Sequence, residues 1–123
     1  MPYTVNYLED EGIVEVVSVG NLTIEDFINQ GKEAIELALK KNTNLFFADN
    51  SDMVGPVNIS VIISIPDFWE RFSASRTNKM AMLISKDKSL HEDFNFFENV
   101  CRNRGWNVNL FEKKEDAFKW LLK

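Results

Sequence analysis

VNISVIISIPDFWERF, residues 57–72, reads two ways, and the choice between them decides the fold. Val57, Ile59, Val61, Ile63 and Ile65 alternate with Asn58, Ser60 and Ser64, as they would on a strand. Ile59, Ile62, Ile65, Trp69 and Phe72 also make a stripe with helical spacing. Pro66 suits the first turn of a new helix better than a central strand. The next apolar segment breaks the tie. Met80-Ala81-Met82-Leu83-Ile84, introduced by the polar turn Thr77-Asn78-Lys79, reads as a buried strand, and a parallel strand needs a crossover before it. The stretch is therefore read as a helix interrupted near Pro66.

Upstream, Tyr3, Val5 and Tyr7 alternate with polar residues, and Ile13–Val19 is a β-branched run. The short Gly12-containing turn between them predicts a β-hairpin, closed by Gly20. Thr23 is placed as a helix cap with Asp26 three residues on. Ile24, Phe27, Ile28, Gly31, Ala34, Ile35, Ala38 and Leu39 then mark one face of an amphipathic helix over 24–41, ended by Asn42-Thr43-Asn44. Leu45-Phe46-Phe47-Ala48 reads as a strand buried on both faces. It ends at Asp49-Asn50-Ser51-Asp52, taken as a loop, and Gly55-Pro56 turns the chain.

Downstream, Ser89 and Glu92 match a capping box that opens a helix with Leu90, Phe94, Phe97, Val100 and Cys101 inward. Gly105 is its stop residue. Val108-Asn109-Leu110-Phe111 reads as an edge strand, and residues 114–122 as a last helix with Ala117, Phe118, Leu121 and Leu122 apolar. The order is β-β-α-β-α-β-α-β-α. It predicts a single α/β domain over residues 1–123 with a mixed, mostly parallel sheet.

The totals agree with one globular domain. The 123 residues are 45% hydrophobic, 12% aromatic and 27% charged. A net charge of −5 argues against sequence-independent binding to nucleic acid. The charge is uneven: residues 1–61 hold ten acids and three lysines, residues 62–123 nine acids and eleven bases. Cys101 is the single cysteine, which fits a reducing compartment. The longest apolar run, VIISI, is far short of the ~20 residues of a membrane helix. No signal peptide is read at MPYTVNYL. A cytoplasmic protein that is not an integral membrane protein is expected, and a homodimer is compatible with this size.

No motif names a reaction. Asp49 sits at the carboxyl end of a buried strand, where α/β sheets place their ligand crevices, with Asp52 close behind. Two carboxylates can share Mg²⁺, but no second acidic cluster supports them, and capping of turn N–H groups is the plainer role. His91 and Cys101 fall ten residues apart on one predicted helix, about 15 Å at 1.5 Å per residue, so they cannot pair in catalysis or zinc binding. The glycines are isolated and make no phosphate loop. Neither metal nor cofactor is expected. Met53, Ile62, Phe68, Trp69 and Phe72 are the candidates for a pocket that takes an apolar small molecule, with ordinary core packing as the alternative.

The order and spacing of these elements resemble the STAS-like group of small bacterial domains (sulfate transporter and anti-sigma-factor antagonist), in the branch grouped with CRAL-TRIO lipid-binding folds. The resemblance rests on the hairpin, the Thr23-capped helix, the strand ending at Asp49, Met80–Ser85 followed by Lys86-Asp87, and Phe111 with Asp116-Ala117-Phe118-Lys119-Trp120-Leu121. It implies a non-enzymatic module that binds a protein partner, or in some relatives a lipid or other small ligand. In the antagonists, a serine at the N-terminus of the helix after the third strand is phosphorylated, within an Asp-Ser-Ser-Gly-like signature. Asp49-Asn50-Ser51-Asp52-Met53-Val54-Gly55 departs from that signature. Ser51, and less so Ser60, are candidates by position alone. The expected partner face comprises residues 49–60 and the helix after them: Asp49, Ser51, Asp52, Met53, Ser60, Phe68, Trp69 and Phe72.

Overall fold

The structure, a computed structural model, describes residues 2–123. Strands β1 (Tyr3–Leu8) and β2 (Ile13–Gly20) form the hairpin, followed by helix α1 (Ile24–Lys41) and strand β3 (Leu45–Met53). Helix α2 (Ile59–Arg71) leads to β4 (Lys79–Leu83). A 3-10 turn at Lys88–Leu90 then precedes α3 (His91–Asn103), β5 (Asn107–Phe111) and α4 (Lys114–Leu122). The five strands lie in sequence order, β1 antiparallel to β2 and the rest parallel. The crossovers put α1, α2 and α3 on one face of the sheet, and α4 alone covers the other.

Local chemistry sets the helix ends. Thr23 and Asp26 form a reciprocal capping box on α1, and Asn42 stops the helix in the left-handed region at φ 55°. Arg104 ends α3, and Gly105 follows at φ +84°. The Trp106 N–H then donates to the Cys101 carbonyl and the Gly105 N–H to the Arg102 carbonyl, a Schellman closure.

Four expectations are corrected. Leu39, placed on the inward stripe, is 69% exposed; α1 overhangs the sheet at its last turn. Within residues 57–72, 59–71 are helical, and α2 runs through Pro66 without interruption, with the ring buried. The Ser89–Glu92 capping box does not form: Asp87 accepts from both the N–H and the hydroxyl of Ser89, so that hydroxyl is spent before the helix begins. Residues 49–53, read as loop, continue β3.

On the α4 side, Phe47, Ile13, Ala81 and Ala117 are wholly buried. Phe47 meets Phe118 edge to face at 5.0 Å. On the other side, α2 packs its backbone closest to α1 and α3, and Ile62 reaches a core cluster with Ala48, Met53 and Met82 of the sheet. Phe47→Ala should cost about 3–5 kcal/mol in urea unfolding, whereas Leu39→Ala should stay within about 0.5 kcal/mol. Equal losses would contradict this placement of the core.

Candidate functional site

The sheet's carboxyl end explains why acidic residues 49–52 stay extended. On one side, Asp49, Asp52 and Met53 pair with Val17, Val19 and Gly20 of β2. On the other, β4 has already ended, and the Ser85–Asp87 loop replaces it. The Lys86 N–H donates to the Ser51 carbonyl (3.0 Å), and the Ser85 hydroxyl to the Met53 carbonyl (2.6 Å). Asp87 accepts from the Gly55 N–H at 3.1 Å. Backbone polar groups must be paired, and here both sides supply partners.

The register against β2 slips between Val17 and Val19, so β3 carries an extra residue there. Phe46, Ala48 and Asn50 alternate toward the helices, and after the bulge Met53 faces the same way. A regular strand would have turned Met53 to the opposite face.

Between this face and α2 lies a cavity of about 140 Å³, partly open to solvent. Its floor is Val16, Phe46, Ala48, Met80, Met82 and Val108; its walls include Phe27 and Gly31 of α1, Ile62 and Trp69 of α2, and Phe94 and Phe97 of α3. Trp69 stands edge-on to Phe97 (5.7 Å) and to Trp106 (5.5 Å), which fixes one end. Leu90 lines another side, with Gly55 behind it; a Cβ on Gly55 would lie 2.7 Å from the Leu90 Cδ2 atom.

The expected face divides. Met53, Ile62 and Trp69 line the cavity, but Phe68 and Phe72 do not. Those two rings stack on each other at 6.3 Å, against α1, with the Arg71 guanidinium 5.2 Å from Phe68. They lie outside because they fall on the α1 side of α2. Asp49 and Asp52 take separate partners. Asp49 accepts from the Ser51 hydroxyl (2.6 Å) and N–H, while Asp52 pairs with Lys86 at 3.4 Å on the surface. Among the described residues, no group of three or more His, Cys, Asp and Glu side chains gathers as for a metal.

The two candidate serines lie in different elements. Ser51 is within β3, so it cannot open a helix. Ser60 is the second residue of α2, exposed, with its N–H and hydroxyl both on the Asn58 side chain. His91 begins α3 and donates Nε2–H to the Ser85 carbonyl at 2.9 Å. Cys101 is fully buried, and burial pushes its thiol far up, so it stays protonated and unreactive. Sequence reasoning missed Asn50, which lines the cavity at 5% exposure; only the bulge and the alternation from Phe46 reveal it.

This architecture, a hairpin leading into a parallel sheet with three helices on one face, is the SpoIIAA-like, that is STAS-like, fold. Among solved structures it is similar to an uncharacterized protein of the DUF3478 family with a SpoIIAA-like fold, from Shewanella loihica PV-4. The two superpose with a TM-score of 0.62 at 17% identity, over 97% of this chain and 91% of that one. No family model matches the chain, and no curated protein does. The structural likeness concerns the SpoIIAA-like side of the resemblance and not the CRAL-TRIO side. No helix among the described residues is long and apolar enough to cross a membrane.

The Asp87 clamp has a pH signature. Hydrogen bonds from the Ser89 hydroxyl, and then from the Gly55 and Ser89 N–H groups, hold its carboxyl below the usual range. A depressed folded pKa adds stability above the unfolded value, about 4, and that stability is lost as pH falls through the folded value. Asp87→Asn should therefore be less stable than wild type at pH 7 in urea titrations. The gap should close as the pH drops below about 4; an unchanged gap at pH 3 would remove the charge from the clamp.

Proposed function

We propose that the protein is a non-enzymatic binding module whose cavity beneath α2 takes an apolar small molecule. The observation that carries this reading is the cavity itself: about 140 Å³, walled mainly by aliphatic and aromatic side chains, running along the face of the sheet beneath α2. A concave, mostly apolar pocket that reaches solvent is the usual form of a small-molecule site. Its volume is close to that of the roughly 150 Å³ engineered cavity known to bind benzene. The natural occupant has a core of about one ring; a full-length lipid would need α2 to open further.

Toluene tests the reading. It should shift the emission of Trp69 and Trp106, which both line the cavity, and saturate with one site per chain. Ala48→Leu, which fills the floor, should abolish the shift. A folded wild-type protein that shows no saturable response would sink the proposal.

A second reading has its own observation. Val54, Ile59 and Ile63 are 44%, 60% and 39% exposed, at the entry to α2 and along its outer side. They support a contact face for a protein partner in the region 49–60 and the helix after it. Ser60 lies in this face, at the end of a helix whose first turn holds no acidic residue. A phosphate there would meet the positive end of the helix dipole and place about −1.5 to −2 charge beside the apolar patch, an off-switch for an apolar partner. A partner captured by wild type should be lost with Ile59→Glu and with Ser60→Asp, and retained with Ser60→Ala. Capture that survives both charged variants would exclude this face.

A further inference from the structure

Among the polar side chains of the cavity that make no hydrogen bond within the protein, Asn50 is the buried one; Asn78 and Asp93 are half-buried and Asn107 is exposed. Asn50 is 5% exposed and lines the cavity. Its carboxamide makes no hydrogen bond with any other described residue, yet no fully occluded side-chain polar atom among them lacks a partner. The amide is therefore not sealed within packing, and for so buried a residue the free space beside it is the cavity. By contrast, Gln30, also in the lining, donates to the buried Ser18 hydroxyl at 2.9 Å.

We infer that Asn50 is the hydrogen-bonding anchor for the single polar group of a small, neutral, mostly apolar ligand. The inference rests on the cavity being a binding site. A carboxamide offers both a donor and an acceptor, so it matches a hydroxyl, an amide or a ring N–H. Charge is disfavoured. The lining contains no Lys, Arg or His, and its one ionisable residue is Asp93. An anion would be desolvated without a cation and close to a carboxylate, which is costly.

Calorimetry on the full chain with toluene, phenol, benzoate and benzylamine tests this. Phenol should bind wild type at least as tightly as toluene, although water solvates its hydroxyl better. Asn50→Leu should weaken phenol about ten-fold relative to toluene, the worth of one buried hydrogen bond. Benzoate and benzylamine should bind more weakly than toluene. Should Asn50→Leu fail to fold, the side-chain NH₂ resonance of Asn50 in wild type gives the same answer: it should move with phenol and hardly with toluene. Exclusion of phenol, an equal loss of both ligands in the variant, an equal resonance shift, or tighter binding of either charged probe overturns the anchor while toluene still binds. Failure of both toluene and phenol to bind overturns the cavity reading itself.

Discussion

Everything at the carboxyl end of the sheet depends on how the backbone of residues 51–55 is paired once β4 stops. The Ser85–Asp87 loop supplies a backbone N–H, a hydroxyl and a carboxylate to three successive sites on that segment. These bonds replace a missing strand. They hold Met53 inward and bring Gly55 so close to Leu90 that a Cβ there would force the Leu90 side chain to shift. They also set where the chain leaves the sheet, and so how far α2 stands above it. Were the segment free to relax into a turn, as its acidic composition favours, α2 could settle onto the sheet and the cavity would close.

The cavity has an energetic meaning apart from any ligand. At about 24 cal/mol per Å³, an enclosed dry void of 140 Å³ would cost about 3 kcal/mol, and the opening to solvent makes this an upper bound. That is a sizeable share of an ordinary domain's 5–15 kcal/mol. Larger side chains at Ala48 or Gly31 would recover part of it: a Cβ at Gly31 meets only Trp69, at an ordinary 3.5 Å. Small residues kept beside unfilled apolar space are the pattern of a site that trades stability for room.

What the sequence made legible was local, and what it hid was not. α1 could be read because Thr23, Asp26 and a regular apolar stripe all lie within one element. The parallel order came from alternating strand and helix patterns. Residues 49–53 could not be read, because their strand state is decided by β2 and by a loop more than thirty residues away. The start of α3 misled for a related reason: Ser89 and Glu92 have the right spacing for a box, but Asp87 takes the Ser89 hydroxyl first. At the site, Met53, Ile62 and Trp69 could be named from apolar character alone. Phe68 and Phe72 have the same character, and only the rotation of α2 sends them toward α1. Asn50 left no signal, since a polar residue in a polar run marks a turn unless a bulge places it under a helix.

α2 is the element on which both proposed activities converge. Its inner side walls the cavity through Ile62 and Trp69, and its outer side carries Ile59 and Ile63. Its attachments are few and mostly to other helices. Arg104 reaches from the end of α3 to the Asp67 carboxylate (2.6 Å) and the Ile63 carbonyl (3.1 Å), and Trp69 wedges between Phe97 and Trp106. The Arg104–Asp67 pair is partly exposed, so by itself it contributes at most about 1 kcal/mol. A helix held this way can shift without breaking a sheet hydrogen bond. If a ligand below and a partner above each favour one position of α2, linkage makes their coupling reciprocal: each must change the affinity of the other by the same factor. The loose packing of α2 on the sheet, which leaves room for the cavity, is thus also what would let its occupancy be sensed from outside.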